Sequence, residues 1–143
     1  MHNDVPQHCP VDRYRRRRRR GVAATELAVC LPIVVLLVLG TIEACSMIFL
    51  KQSLSVAAYE GVRTAIVPGA TKADVETACQ QILADRNVTG GQVTIKPKNF
   101  DKLAPGEFVD VTVSAPCNNN SVVPNTFYRG RVLSASASMM IEF

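Results

Sequence analysis

The chain has 143 residues, 48% of them hydrophobic and 20% charged, with a formal net charge of +4. That length suits one domain and leaves a small soluble core once a membrane segment is subtracted; the apolar fraction excludes a disordered chain. Trp is absent and both histidines, His2 and His8, fall within the first eight residues, so chemistry that needs an imidazole in the body of the protein is excluded.

Charge is unevenly distributed. Residues 1–21 carry seven arginines against Asp4 and Asp12, a net +5, whereas residues 22–143 carry nine basic against ten acidic residues, a net −1. The chain is a basic tail on a nearly neutral body. Arg15, Arg16, Arg17, Arg18, Arg19 and Arg20 form the densest part of that tail. Such a run can bind nucleic acid through phosphates, anchor to lipid headgroups and set topology, or lead a processed precursor. The first reading is disfavoured and no nucleic-acid partner is expected, because the run abuts an apolar segment and interleaves no aromatic residue beyond Tyr14.

Leu27 to Leu50 reads LAVCLPIVVLLVLGTIEACSMIFL, 24 residues with one charge, Glu43. As a helix it measures about 36 Å, enough to cross a bilayer with some tilt, and it is too long for the apolar core of a cleaved secretory signal. The arginines belong on the cytoplasmic side. The expected topology is a single pass with the N-terminus in the cytoplasm and the C-terminal body outside.

At the junction, Gly21 closes the basic leader, Val22 opens the apolar helix, and Glu26 follows five positions after the glycine. This resembles the type IV prepilin signal, which implies cleavage between Gly21 and Val22 by a membrane prepilin peptidase. A carboxylate at the edge of a membrane helix is costly and normally finds a partner. Cleavage creates one, the α-amine of Val22, one helical turn from Glu26 on the same face; a solvated Glu26 in the headgroup layer is the alternative. Further along, Pro32, Gly40, Glu43 and the Ala57-Ala58-Tyr59-Glu60-Gly61-Val62-Arg63 block are similar to the TadE-like family of tight-adherence (Flp) pilus-assembly proteins, over roughly residues 20–66. The resemblance implies a pseudopilin. Its expected partners are the prepilin peptidase, other pilin-like subunits, the inner-membrane assembly platform and the lipid bilayer.

Glu43 is a second charge in the apolar run and a candidate for charge pairing. Its partner is expected to be a charge on another subunit or Lys51 reaching back; a protonated carboxyl without a partner is the alternative. Pro32 is expected to bend the helix. Gly40 with Ala44 makes a small-xxx-small pair that supports helix self-association only weakly.

Beyond the span, Leu50, Leu54, Ala57, Ala58, Gly61 and Ala65 recur at helical spacing, which extends one helix from about residue 22 to 66. Pro68-Gly69 ends it. Thr71-Lys72-Ala73-Asp74 reads as a capping box for a second helix over 72–86, with Val75, Ala78, Cys79, Ile82 and Leu83 on one face. Period-2 alternation then predicts strands at 92–97, 107–114 and 131–142. The expected fold is α+β: a long transmembrane helix continuing into a small outer domain of one helix and a three-stranded antiparallel sheet. The divisions fall at 1–21, 22–66 and 67–143.

Topology sorts the five cysteines. Cys9 would leave with the leader, Cys30 and Cys45 lie in the span, and Cys79 and Cys117 are left in the oxidising compartment. A Cys79–Cys117 disulfide is expected, two unpaired buried thiols being the alternative. No catalytic constellation, cofactor motif or metal-ligand cluster is legible. A structural component of the pilus machinery is the leading expectation and an enzyme is not expected. The competing reading is an unprocessed single-pass anchor whose outer domain binds a ligand or cell-wall component.

Overall fold

The computed structural model describes residues 11–100, 104–124 and 126–142, with backbone alone for 11–20. The chain divides into two compact units, Met1–Leu39 and Gly40–Phe143.

A helix, α1, runs Val11–Ala65. It starts upstream of the expected residue 22, consistent with the good helix propensity of arginine. Pro32 lies inside it. In the first unit, every residue from Gly21 to Leu39 is exposed, large apolar side chains included. The environment changes in the second unit. From Glu43 onward, Met47, Leu50, Leu54, Ala57, Ala58, Val62 and Ala65 are buried at helical spacing. The 24-residue apolar run therefore occupies two environments, and the sequence presents them as one.

Gly69, at φ +80°, turns the chain after α1 in a conformation that side chains rarely tolerate. Helix α2 follows at Lys72–Asp85, opened by the expected capping box. The Thr71 backbone N–H donates to Asp74 Oδ2 at 2.8 Å, and the Asp74 N–H donates to Thr71 Oγ1 at 3.3 Å. The two side chains thus serve backbone donors at the helix start reciprocally, the Asp74 N–H being shared with the Thr71 carbonyl. Val75, Cys79 and Leu83 form its buried face; Ala78 and Ile82 are half-buried beside them.

Strands β1 (Gln92–Lys96), β2 (Phe108–Pro116) and β3 (Val132–Met140) form an antiparallel sheet in the order β1-β2-β3. Val111 pairs with Ile95 on one side and Ala137 on the other. The α+β expectation and the antiparallel order are both borne out. Alternation puts Val109, Val111, Val113 and Ala115 of β2 inward, all buried. The opposite face carries Thr94, Thr112, Ser114, Ser134, Ser136 and Ser138. One core joins the inward sheet face, the buried stripe of α1 and the buried face of α2. Gly61 marks a close approach of the two helices. A Cβ there would overlap Cys79 Sγ and stand 3.1 Å from Val111 Cγ1.

Candidate functional site

The N-terminal junction lies on the exposed part of α1. Gly21, Val22 and Glu26 are all exposed, and a Cβ at Gly21 would meet nothing. The Thr25 hydroxyl donates to the Val22 carbonyl at 2.7 Å, a local bond that leaves the Glu26 carboxylate one turn from Val22. The side chains of Arg15–Arg20, and Cys9 with the rest of residues 1–10, lie outside the described residues.

Glu43 lies in a different setting. It is 2% exposed and is the first residue of the buried stripe on α1. Its Oε1 accepts the backbone N–H groups of Thr126 at 3.1 Å, Phe127 at 2.9 Å and Tyr128 at 2.9 Å. Consecutive N–H groups converging on one point make an anion-binding concavity, and here the anion is a side chain of the same chain. Lys51, the partner expected from sequence, donates its Nζ to the Ser134 carbonyl on β3 instead. The reason is geometric. Glu43 faces the turn at 126–128, and Lys51 is two helical turns further along, on the exposed face beside β3.

The same turn covers Gly40. Phe127 Cε2 lies 3.6 Å from where a Gly40 Cβ would stand, an ordinary contact distance, so the ring rests on α1 at this residue. Phe127 is nevertheless 67% exposed. Tyr128 packs against the core, with the Arg131 guanidinium 5.8 Å from its ring centroid. Nothing in the sequence marks residues 126–128 as the seat of Glu43. The available signals were only a buried-stripe position at 43 and a loop free of acidic residues.

The cysteine expectation is corrected: Cys79 and Cys117 are both free and buried. Cys79 Sγ points to the Ala57 carbonyl of α1 at 3.4 Å, level with Gly61 and Val111. Cys117 lies six residues beyond Val111, where its N–H donates to the Arg131 carbonyl; six strand residues span roughly 20 Å. Counting cysteines per compartment identified an allowed pair, whereas a bridge needs Cα atoms within about 7 Å. Burial, with a smaller contribution from the Glu76 charge, pushes the Cys79 thiol up to about 11. Burial also raises Cys117, opposed by the nearby Arg131 charge. Both thiols are therefore held in the protonated, unreactive form at neutral pH. At the start of α2, Asp74 is held below the usual carboxylate range by the Thr71 hydroxyl and N–H.

A cleft of about 520 Å³ lies at the turn between the two helices and includes Glu60, Arg63 and Asp74. Glu60 and Arg63 form an exposed pair at 3.8 Å there. Among the described residues, no group of three His, Cys, Asp or Glu side chains is placed to hold a metal ion.

From Gly21 the helix is apolar and long enough to cross a membrane, is exposed at every residue as far as Leu39 and is followed by a small α+β head, which fits a single-pass membrane protein. Within that class, residues 21–63 match the model of the family described as TadE-like protein. The matched stretch holds Gly21, Glu26, Pro32, Gly40, Glu43 and the 57–63 block, bearing out the family resemblance, and links the chain to a pilus-associated family. It ends before α2 and the sheet. No curated protein and no solved structure matches the chain.

Proposed function

We propose that this chain is a pseudopilin-like structural component that assists assembly of a tight-adherence pilus, and that a prepilin peptidase cuts it after Gly21. The observation that carries the reading is the TadE-like match over residues 21–63, which opens at Gly21 and includes Glu26. The proposed role is mechanical and not catalytic. Before cleavage, seven arginines hold the N-terminus against the anionic inner leaflet, each contributing about 1 kcal/mol near the surface. A protease needs an extended scissile segment, and a glycine inside a helix costs about 1 kcal/mol relative to alanine; Gly21 is thus a weak point in α1 at which the helix can open. Cleavage removes the cationic anchor and creates the Val22 α-amine, which pairs with Glu26 of the same or a neighbouring subunit. The shortened helix can then move outward into a pilin-like assembly at the inner-membrane platform, carrying the head with it.

Co-expression with the cognate peptidase, followed by intact-mass measurement and N-terminal sequencing, tests this. The expected mature chain begins Val22-Ala23-Ala24. Gly21→Leu is expected to block the cut, and Glu26→Ala to impair pilus assembly while leaving membrane insertion intact. Recovery of the native protein with Arg15–Arg20 in place would overturn the proposal and leave a single-pass anchor.

A further inference from the structure

The exposed ring of Phe127 is held in place by its neighbours. The three N–H groups of Thr126, Phe127 and Tyr128 are all taken by Glu43 Oε1, so the turn is fastened to α1. Fastening it there leaves Phe127 lying over Gly40 yet 67% exposed. An aromatic ring presented to water at a pinned position calls for a partner.

Depth along α1 identifies that partner. Eighteen residues separate Val22 from Gly40; at about 1.5 Å each they make roughly 27 Å of helix, close to the roughly 30 Å hydrocarbon thickness of a bilayer. If Val22 starts at the inner interface, Gly40 lies at the outer one, and Phe127 lies beside Gly40. The chemistry of the loop agrees. Residues 117–131 contain Arg129 and Arg131 and no Asp or Glu, and Arg129 is exposed two residues from Phe127. A phenyl ring can enter the boundary between headgroups and acyl chains while a flanking arginine keeps its charged head among the phosphates.

We propose that the Thr126–Arg129 turn, fastened to α1 by Glu43, is a membrane-interface anchor in which Phe127 enters the outer edge of the bilayer and Arg129 meets lipid phosphates. The inference rests on reading the exposed apolar part of α1 as a membrane span. It assigns Glu43 a positioning role: the carboxylate sets the depth at which the head rests on the membrane.

The chain contains no Trp, so single-Trp reporters are unambiguous. Full-chain Phe127→Trp, Val34→Trp and Tyr59→Trp variants are to be reconstituted in vesicles of zwitterionic and anionic phospholipid. The lipids are brominated either near the glycerol or deep in the acyl chain. Val34→Trp is expected to be quenched by deep bromines, and Tyr59→Trp, on the exposed surface of the head, to be quenched by neither. Phe127→Trp is expected to show blue-shifted emission and to lose most of its intensity to the shallow bromines. Adding Glu43→Ala is expected to weaken that quenching; unchanged quenching would overturn the role given to Glu43. Water-like emission from Phe127→Trp, or a blue shift that neither lipid quenches because a protein covers the ring, would overturn the anchor while a quenched Val34→Trp keeps the span. An unquenched Val34→Trp would overturn span and anchor together.

Discussion

Glu43 and Cys79 show how single residues acquire roles from their surroundings. The carboxylate of Glu43 is withdrawn from water and accepts three backbone donors through one oxygen. Removing an acceptor leaves those donors unsatisfied. Glu43→Ala is therefore expected to speed hydrogen exchange at the amides of Thr126, Phe127 and Tyr128, and Glu43→Gln, which keeps a neutral oxygen, to give intermediate rates. Mass spectrometry of peptides covering the turn checks this, and equal rates in all three proteins would rule the clasp out. Cys79 makes a pH prediction. Its thiol is raised from the ordinary 9.0 to about 11 in the folded chain, so the unfolded chain loses the proton first. Stability is intact below about pH 9 and falls as the pH rises from there towards 11, by about 1–3 kcal/mol in total. Cys79→Ala is expected to flatten that fall in urea unfolding measured at successive pH values, with Cys117, raised in the same direction, keeping a residual slope.

At the scale of elements, α1 carries two kinds of surface on one continuous helix. From Gly21 to Leu39 every residue is exposed; from Glu43 one stripe is buried. The stripe was legible because Leu50, Leu54, Ala57, Ala58, Gly61 and Ala65 repeat at helical spacing, and all six are buried. The capping box and the strand alternation were legible for the same reason, since their determinants lie within a few residues of one another. What periodicity could not show is why a glycine stands in the stripe. Gly61 lets α1 approach Cys79 of α2 and Val111 of β2. Gly61→Val is expected to destabilise the head by about 1–3 kcal/mol through overpacking, read as a lowered Tm of the full chain in detergent. Pairing it with Cys79→Ala removes the sulfur that the new side chain strikes and is expected to recover part of the loss. An unchanged Tm for Gly61→Val would count against the close approach.

For the whole molecule, charge and hydropathy divide the labour. A net +5 in the first 21 residues precedes an apolar helix and a nearly neutral body. The proposed processing acts on that asymmetry, because one cut removes the cationic end and leaves the rest unchanged. The head offers no comparable chemistry in its sequence. Its part in the proposal is to be carried, and its turn at 126–129 to set how close to the membrane it is carried.

The amino-acid sequence by itself determined the class of fold, the apolar helix, the cap of α2, the antiparallel strands and the TadE-like segment. Each of these is written in residues close together in the chain, where helical and strand periodicity or a short motif suffices. The tertiary structure alone decided where Glu43 binds and which thiols can meet. Glu43 reaches amides 83 to 85 residues away, and Cys79 and Cys117 lie apart because one packs on α1 and the other follows the end of β2. Contacts at such separation depend on how the loops return the chain, which neither residue counts nor spacing encode.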